Sequence, residues 1–223
     1  MMASADRLRR RTPSVLWPLV WGACILLSAP LQAGELQRFE LAAQADGYRL
    51  QAQGLIEAPK DAVWQVLTDY SALHRVSPRI IESELVGVTA DGVSRVRTLN
   101  RLCFLAFCRD LRHLQLIREL SHGEFESDSV AAESDLARGY ARWRLQDQGA
   151  ATRLDIDFSF AIDSYAWVPS FMGRFVAASA LKEDAEELID GIERAALLRD
   201  TRSNGDRATR APAQPSRRPL LHR

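Results

Sequence analysis

The sequence predicts an α+β protein in which a curved antiparallel sheet of about seven strands wraps around one long C-terminal helix. Three observations predict this class: many short alternating segments through the middle of the chain, two short helical pieces after the first of them, and a long amphipathic segment near the end. In that last segment, residues 169–199, apolar residues recur at steps of three and four, and the opposite face is charged. A helix with so long an apolar stripe must pack against something large, and the predicted sheet precedes it.

Composition allows one folded domain with a substantial core. The chain has 223 residues, of which 47% are hydrophobic and 26% are charged. The formal net charge is zero, but residues 1–33 carry +3 and residues 199–223 carry +5, so the part between them carries −8. An acidic folded part argues against nucleic acid as a partner.

Residues 1–33 have the pattern of a secretory signal peptide. Four arginines precede an apolar run at 15–27, and the stretch that follows includes the small residues Ser28, Ala29 and Ala33, although Leu31 lies three positions before the expected cut. We therefore expect export, to a periplasmic location, with cleavage after Ala33. An uncleaved membrane anchor is the alternative, because residues 15–31 are marginally long enough to span a bilayer.

After a polar lead-in at 34–46, residues 47–58 alternate between apolar and polar side chains and predict a half-buried strand that Pro59 ends. Two short helical pieces follow and stop at Pro78. Six antiparallel strands are then predicted at 80–88, 93–103, 108–120, 124–131, 139–146 and 152–162. The folded domain accordingly spans 47–199, and the Arg- and Pro-rich residues 200–223 are predicted to be a disordered tail.

Two short runs and the order of elements carry a resemblance to a known family. The runs are Ile-Glu-Ala-Pro-Lys-Asp-Ala-Val-Trp at 56–64, where the first helix begins, and Leu-Thr-Asp-Tyr at 67–70, followed by Pro78. With the terminal helix, they resemble the START-like (SRPBCC) superfamily, whose helix-grip fold is shared by birch-pollen-type allergens and polyketide cyclases. The pattern is most similar to the branch that groups coenzyme-Q-binding proteins with polyketide cyclases and dehydrases.

The resemblance covers about residues 47–198 and implies a cavity between the sheet and the long helix. It implies that a hydrophobic or amphipathic small molecule, of the lipid or quinone class, is held there. The resemblance is specific for the fold and much less so for the function, since the superfamily carries lipid carriers, hormone receptors, cyclases and oxygenase subunits on one scaffold.

Strand pairing predicts which side chains face such a cavity. If Cys103 lies opposite Cys108, then Arg101 lies opposite Asp110, and the face that these residues share is charged and outer. The other face is apolar with a few neutral polar groups. The predicted wall residues are Val96, Thr98, Asn100, Leu111, His113, Gln115, Trp143, Ile156, Phe158 and Phe160 from the sheet, and Phe171 and Phe175 from the helix.

The same pairing places Cys103 and Cys108 at the two ends of a four-residue apolar tip, where an exported protein is expected to form a cross-strand disulfide. The tip either touches a membrane or guards the cavity mouth, or it folds back onto its own core, and the sequence leaves these alternatives open. A C-x4-C pair does not supply the four ligands of a zinc site, so neither a metal nor a cofactor is expected.

The sequence contains no nucleophile elbow, phosphate-cradling glycine loop, zinc-protease helix motif or Rossmann fingerprint, so no residue is assigned a catalytic role. The leading hypothesis is a binding module without catalysis. One alternative is a cyclase- or dehydrase-type enzyme that acts on a polyketide-like or other apolar substrate, with His113 and Asn100 as polar catalysts. Another is an interaction protein whose own side chains fill the cavity.

Overall fold

The computed structural model describes residues 34–104, 107–162 and 173–210, and within these ranges the chain forms one eight-stranded antiparallel sheet and two α-helices. The strands are β1 (Glu35–Gln44), β2 (Gly47–Ile56), β3 (Ile80–Val88), β4 (Ser94–Phe104), β5 (Phe107–Ser121), β6 (Glu124–Ser129), β7 (Leu136–Gln148) and β8 (Ala151–Ile162). The helices are α1 (Lys60–Leu67) and α2 (Gly173–Arg210), with 3₁₀ turns at Leu73–Arg75 and Ala131–Glu133.

The predicted α+β class with a long C-terminal helix is confirmed. Strands β3 to β8 form the expected meander, and β2 then pairs with β8, which gives the order β1-β2-β8-β7-β6-β5-β4-β3. No helix among the described residues is long and apolar enough to span a bilayer. The predicted signal peptide lies outside the described residues.

The strand count is eight because the polar lead-in is itself a strand. β1 pairs antiparallel with β2, and its side chains at Leu36, Phe39 and Leu41 pack against the core. A bulge between Leu36 and Arg38 breaks the alternation of period two in this strand. Because the apolar side chains are therefore unevenly spaced along the sequence, the pattern of a half-buried strand is hidden.

The boundaries of α2 also differ from the sequence prediction. The described part begins at Gly173 and the helix continues to Arg210, whereas the sequence predicts an end at Arg199. Extending an existing helix adds one hydrogen bond for each residue fixed, and the chain has no proline in this stretch before Pro212. Residues 211–223 of the predicted disordered tail lie outside the described residues.

The core lies between the concave face of the sheet and the two helices. Ile189 and Ile192 of α2 are almost completely buried in it, together with Ile56 of β2 and Leu154 of β8. Ile189 lies directly over Gly54, where a Cβ atom would come within 2.6 Å of the Ile189 Cδ1. This close approach fixes the distance between α2 and the sheet near the middle of the helix.

Glu193 ties the same part of α2 to the end of β2. The residue is only 4% exposed, and its Oε2 accepts a hydrogen bond from the Glu57 backbone N–H at 2.6 Å. Burial raises the pKa of the Glu193 carboxyl, because a charged group loses its hydration there.

Replacing Glu193 with alanine should lower the free energy of unfolding by about 1–3 kcal/mol, because the Glu57 N–H would be left without an acceptor. Glu193→Gln keeps an acceptor and removes a buried charge, so it should cost less than about 1 kcal/mol. Urea denaturation of both variants compares the two costs. Equal losses in the two variants would show that the hydrogen bond to Glu57 does not hold α2 in place.

Candidate functional site

A cavity of about 390 Å³ lies between the concave face of the sheet and α2. This volume falls within the range of pockets that hold small molecules. The helix contributes Leu181, Ala185 and Leu188 to its wall, and the segment after α1 contributes Tyr70 and Leu73. Most of the remaining wall consists of inward-facing side chains of β2 and β4–β8.

Most of the predicted wall residues line this cavity, namely Thr98, Asn100, Leu111, His113, Gln115, Trp143, Ile156, Phe158 and Phe160. Val96 does not: it is fully buried within the core and has no surface on the cavity. Of the two predicted helix residues, Phe171 lies outside the described residues, and the side chain of Phe175 is not among those described. Whether the wall residues bind a ligand is taken up below.

The predicted pairing of β4 with β5 explains this agreement. Cys103 lies opposite Cys108 and their sulfur atoms are 2.06 Å apart, so the expected disulfide is present. Arg101 lies opposite Asp110 and pairs with it on the outer face, with 2.8 Å between the Arg101 Nε and the Asp110 Oδ1. The tip between the cysteines includes residues 105–106, which lie outside the described residues. The expectation that the tip touches a membrane, guards the cavity mouth or folds back onto the core therefore stays a prediction.

Stacked aromatic rings form much of the wall. The ring centroids of Phe158 and Phe160 are 4.8 Å apart, and those of Phe125 and Trp143 are 5.6 Å apart. Phe125 was not predicted as a wall residue, although its position in β6 directly opposite Trp143 would have indicated it. Tyr70 was also missed, and no sequence signal identifies it. Its hydroxyl donates a hydrogen bond to the Glu119 carboxylate at 3.0 Å.

Four neutral polar residues, His113, Ser129, Thr98 and Asn100, form two hydrogen-bonded side-chain pairs on β4, β5 and β6, which we call the polar row. The Thr98 Oγ1 connects the pairs, because it donates to the His113 backbone carbonyl oxygen at 3.5 Å. The His113 Nε2 lies 2.5 Å from the Ser129 Oγ, and the Asn100 Nδ2 donates to the Thr98 Oγ1 at 2.8 Å. A Cβ atom at Gly139 of β7 would overlap the Ser129 hydroxyl. Glycine at this position therefore leaves the space in which Ser129 reaches His113.

Burial keeps the His113 imidazole neutral. Desolvation lowers its pKa to about 4, because the charged form would lose its hydration inside the wall. At neutral pH the ring therefore offers one N–H donor and one nitrogen acceptor. It supplies hydrogen bonds to the cavity, and no charge.

This low pKa makes the stability of the fold depend on pH. The unfolded chain takes up a proton at His113 near pH 6.5, whereas the folded chain does so only near pH 4, so stability is lost as the pH falls between these values. Between about pH 7.5 and about pH 5, the loss due to His113 should be about 2 kcal/mol. Urea denaturation of the original chain and of His113→Gln at both pH values measures this loss as the difference between them. An identical pH dependence in the two proteins would contradict it.

Two of the charged residues that line the cavity, Arg79 and Asp184, form an ion pair at its rim. The Arg79 Nε lies 2.8 Å from the Asp184 Oδ1 and 3.5 Å from the Glu187 Oε2, and the Arg101 backbone N–H donates to the Arg79 carbonyl oxygen. Burial raises the pKa of Asp184, and its ion pair with Arg79 opposes this rise. Arg79 and Arg101 also border a polar cleft of about 560 Å³, to which α2 contributes charged side chains from Glu183 to Arg194.

No group of three or more His, Cys, Asp or Glu side chains that could hold a metal ion occurs in the described part of the chain. The arrangement is therefore an apolar, aromatic cavity with a neutral polar row on one wall and paired charges at its rim. Such a site can enclose a molecule with an apolar body and a small polar group.

Solved structures with this fold are known. The chain is similar to the protein TTHA0849 of Thermus thermophilus, with 20% identity, a TM-score of 0.55, and coverage of 67% of this chain and 97% of that chain. It is also similar to a START superfamily protein from Mycobacterium smegmatis, with 15% identity, a TM-score of 0.55, and coverage of 67% and 98%. Human STARD10 matches with 8% identity, a TM-score of 0.52, and coverage of 78% and 82%.

These identities are low, so the structural likeness establishes the fold, which is the START-like helix-grip fold that the sequence resembles. No curated protein matches the chain in sequence. The profile of a family described as polyketide cyclase / dehydrase and lipid transport matches residues 49–196, which is most of the described chain. The chain therefore belongs to the polyketide cyclase / dehydrase and lipid transport family.

Proposed function

We propose that this protein is an exported binding module that holds a hydrophobic or amphipathic small molecule of the lipid or quinone class between its sheet and α2. One observation carries the proposal: an open volume of about 390 Å³ whose wall is almost entirely apolar. A ligand that fills this volume buries apolar surface of its own and of the wall, which contributes about 25 cal/mol for each Å² removed from water.

The open cavity favours a binding module over an interaction protein whose own side chains fill the space beneath α2. In such a protein, the side chains beneath α2 would be expected to close the space, since cores pack to nearly crystalline density. Here Ala185 of α2 and Ala52 and Ala141 of the sheet present small side chains to the cavity instead. Small residues on both walls keep the volume open.

A cyclase- or dehydrase-type reaction is the second candidate function, and the position of His113 favours it. The imidazole lines the cavity beside Thr98 and Asn100, where it could contact a carbonyl group of a bound substrate. The His113 pKa of about 4 argues against a role as general base, because an imidazole with so low a pKa is a weak base at neutral pH. Turnover of a polyketide-like substrate that is abolished in folded His113→Gln would favour the enzyme over the binding module.

Export is part of the proposal because residues 1–33 have the pattern of a signal peptide and because the cysteine pair suits an oxidising compartment. Mass measurement of the mature protein from a cell-envelope fraction tests it. The proposal expects an N-terminus at Gly34, and a chain that retains residues 1–33 in the cytoplasm would contradict it.

Thermal denaturation of the full chain with a panel of neutral lipids and quinones tests the binding function. A ligand at about 100 times its Kd stabilises the folded state by about 2.7 kcal/mol, which should raise the Tm by several degrees. Binding is contradicted if no member of the panel shifts the Tm and the purified protein contains no extractable apolar molecule.

A further inference from the structure

The polar row leaves hydrogen-bonding capacity that faces the cavity. His113 uses its Nε2 for Ser129, and its Nδ1 has no partner among the described residues. Gln115, next to His113 on the same face of β5, also lines the cavity, and its side-chain amide is without a hydrogen-bond partner in the described ranges. A polar group of a ligand at this place can therefore be matched by the His113 Nδ1, whose ring Ser129 already holds, and by the Gln115 amide.

No charge is available at the same place. The charged residues that line the cavity are Arg79, Arg101 and Asp184. Arg79 pairs with Asp184 at the rim, and Arg101 pairs with Asp110 on the outer face of the sheet, so each of these charges has an opposite charge beside it. An ionised carboxylate or ammonium group at the polar row would lose its hydration without meeting an opposite charge, which is costly.

We infer that the polar row makes the cavity selective for a ligand with an uncharged carbonyl or hydroxyl head, and that the cavity excludes a molecule of the same chain length whose head is ionised. The inference rests on the proposed function, and it narrows the ligand class to neutral amphiphiles. His113 is the residue that contacts the head, and Ser129 is a positioning residue that holds the imidazole through its Nε2.

A series of twelve-carbon probes tests this selectivity, since only the head changes. Dodecane, 1-dodecanol, 2-dodecanone, dodecanoate and dodecylammonium are titrated against the full chain at neutral pH, with displacement of the neutral fluorophore N-phenyl-1-naphthylamine as the readout. The alcohol and the ketone should bind about tenfold more tightly than dodecane, as expected for one net hydrogen bond. The two ionised probes should bind at least about 100-fold more weakly than the alcohol.

Two variants assign the selectivity to the polar row. Ser129→Ala and His113→Phe should each lose most of the roughly tenfold preference for the alcohol over dodecane. The ratio of the two affinities is taken within each variant, so a change in the affinity for dodecane itself does not affect the comparison. Ser127→Ala is the matched control, because Ser127 lies two residues before Ser129 on the same face of β6, whereas the His113 Nε2 contacts Ser129. It should keep the full preference. A Tm measurement on each variant confirms that it is folded, and if one of the two does not fold, the other carries the test alone.

The possible results separate this inference from the function on which it rests. If dodecanoate or dodecylammonium binds as tightly as the alcohol, or if the preference persists in folded Ser129→Ala or His113→Phe, the inference is overturned while the binding module stands. If no probe binds, dodecane included, both the proposed function and the inference are contradicted.

Discussion

Replacing Gly191 with alanine should lower the free energy of unfolding by about 3 kcal/mol or more, although alanine ordinarily stabilises a helix interior by about 1 kcal/mol relative to glycine. A Cβ atom at this position of α2 would overlap the carbonyl oxygen of Val76 and lie 2.7 Å from its carbonyl carbon. The obstacle is backbone, so no side-chain rotation can relieve it. Helix α2 would have to move away from the 3₁₀ turn at Leu73–Arg75.

Urea denaturation measures this loss, with Gly87→Ala as the control. Gly87 in β3 has no atom within 4 Å of the place where its Cβ would lie, so this substitution should change stability by less than about 0.5 kcal/mol. If Gly191→Ala proves no less stable than Gly87→Ala, α2 does not approach the Val76 carbonyl as closely as the structure shows.

Replacing Ala185 with phenylalanine should abolish ligand binding without unfolding the protein. Ala185 lies on the face of α2 that lines the cavity, so the larger side chain would occupy the space of the ligand. We expect an affinity loss of at least about 100-fold, which corresponds to about 2.7 kcal/mol. The Tm of the ligand-free protein should stay the same or rise, because filling a cavity commonly adds about 0.5–2 kcal/mol.

Titration with N-phenyl-1-naphthylamine compares this variant with the original chain. Lys182→Phe is the matched control, because Lys182 lies three residues earlier in α2 with a side chain that is 55% exposed and outside the cavity wall. It should bind the fluorophore as the original chain does. Unchanged binding in Ala185→Phe would place the ligand somewhere other than beneath α2.

The cavity wall could largely be predicted because two local features determine it. The pair Cys103 and Cys108 sets the register of β4 against β5, and alternation then assigns each following residue to one face. Thr98, Asn100 and His113 were placed on the inner face in this way. Val96 was placed on the correct face as well. A residue on the inner face either packs into the core or lines the cavity, and alternation does not distinguish these two positions.

The remaining features depend on contacts between distant segments. The hydrogen bond between His113 and Ser129 requires the β5–β6 register, which a shift between Glu119 and Ser121 alters, and it also requires the space at Gly139. The approach of Gly191 to Val76 depends on where α2 crosses the sheet. A single sequence carries no local signal for either contact, because each depends on the packed geometry of elements far apart in the chain.

Native mass spectrometry of the protein, isolated from the cells that make it, tests most directly whether the cavity holds an apolar molecule. For the original chain, we expect a non-covalent adduct that organic extraction releases as a molecule with an uncharged head. The same preparation of Ala185→Phe should lack it. An original chain without any adduct or extractable apolar molecule, or an adduct that Ala185→Phe retains in full, would contradict the proposed function.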